Sequence, residues 1–318
     1  MASTRSNGIA RLPHVGAPAA GLERPRYART LWGDAWRRFR RHRLAMAGAI
    51  TFLLLTFGCL FGPIVYRVPI NAIDFGRSMS PPSAAHPFGT NDLGQDMLAR
   101  VLYGGRISIA VGFAAMLTSI TLGVLVGAIA GFFGRHVDNL LMRVTDMFLS
   151  FPGLVLLLLI VYLFHDTITK HLGTQVGTFV LIVGVIGILN WMPTARLVRA
   201  GFLAVKEKEF VEAARSVGVG PFKQIVRHIL PNVLSPVIVA GTLSVAAAIL
   251  LESTLSFLGY GFPPDVPTWG RLLFDAQNYL DLAPHMALFP GIMICLAILS
   301  INYVGDGLRD ALDPTRVF

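Results

Sequence analysis

Six apolar runs, at residues 44–66, 107–133, 144–164, 176–193, 233–258 and 286–304, constrain this chain more than any other feature in it. At 1.5 Å of rise per residue, each run taken as a helix is long enough to cross about 30 Å of hydrocarbon. One such run would also suit a buried helix in a large soluble protein. Six of them in 318 residues, only 14% of which are charged, leave too little polar surface for water to be the main solvent. The runs lack the polar alternation over ten-residue blocks that barrel strands require. The expected fold is therefore all-α, a polytopic transmembrane bundle with six spanning helices.

A net charge of +9 could serve nucleic acid, but its distribution points elsewhere. With the N-terminus placed in the cytoplasm, 21 of the 27 Lys and Arg residues fall on inside segments and 6 on outside ones. This is the positive-inside pattern, and six crossings return the C-terminus to the cytoplasm as well. The charge is a topology signal, and no nucleic-acid partner is expected. The first run follows a 43-residue basic arm and ends in Gly62, Pro63 and Tyr66, with no small-x-small cleavage site. It is expected to stay as an anchor rather than be removed as a signal. Cys59 and Cys295 lie inside apolar runs and read as small buried hydrophobes, so no disulfide, zinc or thiol chemistry follows from them.

Residues 1–30, rich in Ser, Gly, Pro and Arg, are expected to stay disordered. At 31–43, Trp32, Trp36 and Phe39 recur at helical spacing among Arg37, Arg38, Arg40, Arg41 and Arg43. This predicts an interfacial helix facing anionic headgroups, which closes a 1–43 cytoplasmic arm ahead of the membrane domain at 44–318. After the first span, Pro69, Pro81, Pro82 and Pro87 exclude a continuous helix. A surface helix carrying Met97, Leu98, Val101 and Leu102 is expected next, with Asp92 or Asp96 as its cap. Gly123, Gly127 and Gly131 form two successive Gly-x-x-x-Gly spacings, which predict close helix packing on one face. A short inside turn is expected at 135–139, with Arg143 and Asp146 spaced to pair beyond it, and His165 and His171 fall in an outside turn. Gly184 and Gly187 predict another close contact, and Pro193 a kink or exit.

The stretch 196–230 is the longest charged connection between spans. It reads as two short helices: 202–216, where Glu207, Glu209 and Glu212 alternate with Lys206, Lys208 and Arg215, and 221–229, opened by Pro221. Gly218 and Gly220 permit the turn between them, and a branched side chain at 218 is expected to obstruct it. A charged helix pair projecting from a membrane bundle needs a polar partner. Glu252 is the only acid deep in an apolar run. Ionised and facing lipid it would cost several kcal/mol, so it is placed toward the bundle interior, a partner subunit or an aqueous translocation path. Hydrogen bonding to Ser253 or Ser256 and contact with cargo are both open for it. Pro263, Pro264, Pro267, Trp269 and Tyr279 then make a rigid, aromatic outside collar.

Glu212-Ala213-Ala214, three residues, Gly218, nine residues and then His228-Ile229-Leu230-Pro231 resembles the cytoplasmic loop of importer permeases driven by ATP-binding cassettes. The general pattern favours isoleucine where His228 stands, so His228 is not read as a catalyst. Phe88-Gly89-Thr90-Asn91-Asp92-Leu93-Gly94-Gln95-Asp96, Tyr103-Gly104-Gly105-Arg106-Ile107-Ser108, Asp138-Asn139-Leu140-Leu141-Met142-Arg143, Leu255-Ser256-Phe257-Leu258-Gly259 and Gly305-Asp306-Gly307-Leu308-Arg309-Asp310-Ala311-Leu312-Asp313-Pro314 extend the resemblance over roughly residues 30 to 315. Together they are similar to the dipeptide/oligopeptide/nickel permease family, on its C-type branch.

The resemblance implies a type I ABC importer permease (MetI-like) fold in a bacterial inner membrane, with coupling helices between spans 4 and 5. It implies as partners a homologous second permease, two cytoplasmic ATP-binding cassette subunits that use ATP and Mg, an extracytoplasmic solute-binding protein and a dipeptide or oligopeptide cargo. It places Phe210, Glu212, Ala213, Ala214, Gly218 and Pro231 at the ATPase-coupling site: Glu212 through polar contacts, the two alanines through close docking and Gly218 through the bend. It gives this chain no catalytic residue, cofactor or metal of its own. Nickel, glutathione or another small complex are alternative cargoes within the same family.

The residues independently exclude several chemistries. None of Lys170, Lys206, Lys208 or Lys223 follows a Gly-rich phosphate loop, and there is no His-Glu-x-x-His or Gly-x-Ser-x-Gly. An intramembrane enzyme would need a partner for the solitary Glu252. An ion-coupled secondary transporter would need broken helices and polar groups at the midplane of two repeats, without this coupling motif.

Overall fold

The computed structural model describes residues 31–313, so the reading of 1–30 as a disordered arm lies outside the described residues. Among these, the regular structure is helical, joined by loops that hold one isolated bridge, between Thr90 and Asp96. Helix α1 (Leu31–Arg41) leads through His42, which caps α2 (Arg43–Val65) by accepting the Ala45 N–H at Nδ1 over 3.1 Å. After a non-helical stretch with one 3-10 turn come α3 (Met97–Phe133), α4 (Arg135–Leu149), α5 (Gly153–Leu172), α6 (Thr174–Leu189) and α7 (Met192–Val205). Then follow α8 (Glu209–Ser216), the single turn α9 (Pro221–Lys223), a π-turn (Gln224–Ile229), α10 (Leu230–Phe257), α11 (Trp269–Ala276) and α12 (His285–Leu312).

Five of these elements are single helices long and apolar enough to cross a membrane: α2, α3, α5, the continuous Pro221–Phe257 and α12. The pair α6 and α7, bent by 44°, is together long and apolar enough to make a sixth. The bend has a local cause. Pro193 in the first turn of α7 has no N–H to donate and would press on the carbonyl of residue 189 in a straight helix. Asn190 ends α6 there by donating from Nδ2 to the Ile186 carbonyl at 2.7 Å.

Several boundaries differ from the sequence expectation. The surface helix at 97–102 and the second span are one 37-residue helix, because Gly104 and Gly105 are packing contacts rather than breaks: a Cβ at 104 would lie 2.8 Å from the Pro267 carbonyl oxygen. Residues 135–139 open α4 instead of forming a turn. The third crossing starts at Gly153 after a break at Ser150 to Pro152, and it reaches Leu172, so His165 and His171 lie on helix. The proposed helix 202–216 is split after Val205, and 221–229 runs through a π-turn straight into α10. The final helix continues past 304 to Leu312.

Both described ends lie on one face. Phe39 and Ala35 of α1 bury themselves with Ala45 and Ala311, and a Cβ on Gly307 would sit 2.2 Å from that of Ala45. On the opposite face Asp96 caps α3, accepting from the Ala99 N–H at 2.8 Å. Nearby Arg100 is 1% exposed and donates to Gln95 Oε1 at 2.7 Å, Asn71 Oδ1 at 3.1 Å and the Pro264 carbonyl at 3.0 Å. One buried guanidinium thus ties the 66–96 segment to the collar after α10. Asp275, next to it and 2.9 Å from Arg271, has its carboxyl pushed above the ordinary range by burial, which the two arginines oppose.

Candidate coupling interface

Helix α3 reaches the terminal face with Gly123, Gly127 and Gly131 turned toward α7. A Cβ at these positions would lie 2.6 Å from Thr194 Cβ, 2.5 Å from the Ala195 carbonyl oxygen and 2.5 Å from Phe202 Cβ, respectively. Only glycine lets two backbones approach this closely. Of the second pair, Gly187 meets Thr118 Cβ at 2.5 Å, but Gly184 faces open space, so the contact expected there rests on one residue.

Helix α7 delivers the chain to α8, an eight-residue helix that is amphipathic in the strict sense. Val211 is 0% exposed and shares a core with Phe202, Val198, Ile229 and Val233, contributed by α7, the π-turn and α10. Phe210, Glu212 and Ala213 face outward, Phe210 being 46% exposed. Ala214, by contrast, is buried. Of the two alanines, only Ala213 is exposed.

The turn after α8 closes the helix with two reversed hydrogen bonds, Gly218 N–H to the Arg215 carbonyl and Val219 N–H to the Ala214 carbonyl, each 3.0 Å. This is a Schellman ending, which requires a left-handed residue, and Gly218 supplies it at φ +80°. A Cβ on Gly218 would meet nothing within 4 Å, so backbone conformation rather than crowding selects glycine. Val217 and Phe222, 80% and 78% exposed, flank this turn and add apolar surface to the outward face of α8.

The return limb is held by a residue with no sequence signal. Gln224 is 4% exposed and donates from Nε2 to the Val219 carbonyl, pinning the far side of the turn to the π-turn. The π-turn precedes Pro231, whose ring and missing N–H disrupt an ordinary α-turn at this point. Asn232 adds a side-chain hydrogen bond from Nδ2 to the His228 carbonyl at 2.7 Å. Pro231 thus shapes the helix entry and is itself exposed.

Glu252 lies far from this elbow. It is fully buried, accepting from Ser256 Oγ at 2.8 Å and from Ser108 Oγ of α3 at 3.1 Å. Thr268, the cap of α11, reaches Ser256 Oγ at 3.4 Å, and the Trp269 N–H donates to Ser108 Oγ at 3.3 Å. Through this cluster Glu252 joins α3, α10 and α11. Among the described residues no group of three or more His, Cys, Asp or Glu is placed to hold a metal ion.

Arg143 and Asp146 do not form the pair their spacing allowed. Asp146 instead receives Arg196 of α7, and Asp138 receives Arg199 in a two-pronged contact from Nε and Nη2. The arginine hydrogen bond holds the Asp138 carboxyl below the ordinary carboxylate range against the opposing effect of burial, with Lys206 adding its charge.

A six-crossing helical bundle with an outward amphipathic elbow between its fourth and fifth crossings defines a class of transport permease. The chain belongs to the family described as binding-protein-dependent transport system inner membrane component, whose model matches residues 123–317. A second model, the N-terminal TM domain of oligopeptide transport permease C, matches residues 30–82.

Within the family, the chain is 39% identical over 288 residues to the oligopeptide transport system permease protein OppC of Haemophilus influenzae, covering 90% of this chain and 89% of that one. It is 36% identical over 283 residues to the dipeptide transport system permease protein DppC of Alkalihalophilus pseudofirmus, with 89% and 90% covered. It is also 36% identical over 294 residues to the glutathione transport system permease protein GsiD of Pectobacterium atrosepticum, with 92% and 93% covered. In fold it is similar to a chain of the inward-facing MetNI methionine ABC transporter, with a TM-score of 0.54 at 18% identity, covering 68% of this chain and 98% of that one.

Proposed function

We propose that this chain is one of two homologous permeases in an ATP-driven importer that carries dipeptides or oligopeptides into the cytoplasm. Its relatives named for dipeptide and oligopeptide transport match along nearly their whole lengths, which supports the cargo class. Glutathione, itself a small peptide, is the second reading, favoured by the similarly complete match to glutathione permeases. ATP hydrolysis, with its Mg, belongs to two partner ATPase subunits, and an extracytoplasmic solute-binding protein delivers the cargo. The terminal face is the cytoplasmic one, consistent with the weight of Lys and Arg on it. There the exposed arginines of α1 meet anionic headgroups.

The single observation that carries this reading is the two-sided character of α8. Val211 locks it into the bundle while Phe210, Glu212 and Ala213 stand outward, so a partner seated on the outward side moves the bundle rather than an isolated loop. Substitution Glu212→Lys reverses the charge at the centre of that face without touching the core. The expected result is normal membrane insertion with loss of both peptide uptake and ATPase co-purification. Retained co-purification with the Lys variant would overturn the reading, as would labelling of a Cys at 212 from the external side.

A further inference from the structure

The motif around Asp138 is left without a role by the coupling elbow, yet it faces the elbow's support. Helix α7 has three sides in use. One lies on the glycine stripe of α3, a second contributes Val198 and Phe202 to the core that holds α8, and the third presents Arg196 and Arg199 to α4. These arginines are three residues apart, on one helical face, and they reach Asp146 and Asp138, which lie near opposite ends of α4. The Asp138 side chain is 11% exposed and that of Arg199 34%, so the inner contact is sheltered from solvent, whereas Asp146 and Arg196 are open at 61% and 53%. Beyond the outer pair, Phe148 at the end of α4 packs with Trp191, Met192 and Ala195.

Asp146 also stands at the corner into the third crossing. Its carbonyl accepts from both the backbone N–H and the Oγ of Ser150, closing α4 immediately before Pro152 and α5. At the other end, the Asp138 carboxyl faces Lys206, which begins the three-residue link from α7 to α8.

We propose that the Asp138–Arg199 and Asp146–Arg196 contacts form a latch that makes α4 and α5 follow the coupling elbow when the ATPases move it. The inference rests on α8 being the ATPase seat. Two arginines on one helix, gripping both ends of another, fix its position and its orientation together. A single contact would leave it free to pivot. The residues are positioning residues: they touch neither cargo nor nucleotide.

The test uses the whole transporter, purified through this chain with its partner subunits. Spin labels at Val217→Cys, the residue that caps α8, and Leu159→Cys on α5, with Cys295→Ala, report the α8-to-α5 distance with and without ATP plus vanadate. In the parent protein the two helices move together and the distance distribution is unchanged by nucleotide. In Asp138→Asn/Asp146→Asn the distance is expected to become nucleotide-dependent, while ATP hydrolysis stays within about twofold of the parent. The charge exchange Asp138→Arg/Arg199→Asp is expected to restore co-movement. A nucleotide-independent distance in the Asn variant would overturn the latch. So would a parent protein whose α8 and α5 already move apart, or failure of both variants to assemble, which assigns the pairs to folding alone. Failure of the underlying reading looks different: the ATPases would co-purify with the Glu212→Lys chain as well as with the parent.

Discussion

At position 218 the backbone sits at φ +80° with open space where a Cβ would project. The expected obstruction by a branched side chain is thus replaced by a conformational penalty. Valine in the left-handed region costs about 1–3 kcal/mol, and it would relieve that strain by opening the two reversed hydrogen bonds that end α8. Gly218→Val is therefore expected to leave the bundle folded while reducing ATPase co-purification. Gly218→Asn, which tolerates the same φ, is expected to keep most of it. A pull-down of the ATPase with each variant checks the order. The turn at Gly218 was legible in the sequence because its constraint is local. Val211 and Gln224 were not, since nothing nearby distinguishes a buried Val or Gln from an exposed one; their roles exist only once α7, the π-turn and α10 converge.

Among the elements, α4 and α7 show how charge adds to apolar contact. Asp138, held below the ordinary carboxylate range by Arg199, stabilises the folded state fully above the usual carboxylate pKa, and this contribution is lost only as pH falls through the lowered value. From pH 8 to about pH 5 the pair is expected to contribute a constant amount. The Tm deficit of Asp138→Asn in detergent is accordingly expected to be the same across that window. A deficit that appears only at one end would contradict the assignment. The crossings themselves were readable because long apolar runs answer to one variable, the thickness of hydrocarbon. Their joints were not. Lys206, Glu207 and Lys208 carry no helix breaker, yet the helix stops at Val205, where the turn brings Val211 back onto Phe202. Asp138 and Arg199 lie 61 residues apart, and the visible neighbour of Asp146 was Arg143, so the local spacing named the wrong partner.

Across the molecule, each face has its own fastening. On the face opposite the termini, Arg100 and the Glu252 hydroxyl cluster hold α3, α10, α11 and the 66–96 segment together. On the terminal face, α1 is clipped to the end of α12 by Phe39 and by Arg38, which donates to the Asp313 carbonyl at 3.1 Å. This leaves Trp36, Arg40, Arg41 and Arg43 outward at the entry to the first crossing. Replacing those three arginines by Gln is expected to weaken attraction to an anionic surface by about 1 kcal/mol per residue. Native mass spectrometry should then find less phosphatidylglycerol retained, with the helical fold unchanged. Equal retention by parent and variant would count against headgroup contact.

The interruption at Asn190 and Trp191 governs where a mechanical load can go. A straight fourth crossing would act as a piston, carrying thrust from the elbow to the far side of the bilayer along its own axis. With the rod jointed part-way along, its second segment is seated on the glycine stripe instead, and thrust entering at the proposed elbow would be turned sideways into α3, a 37-residue helix without a joint.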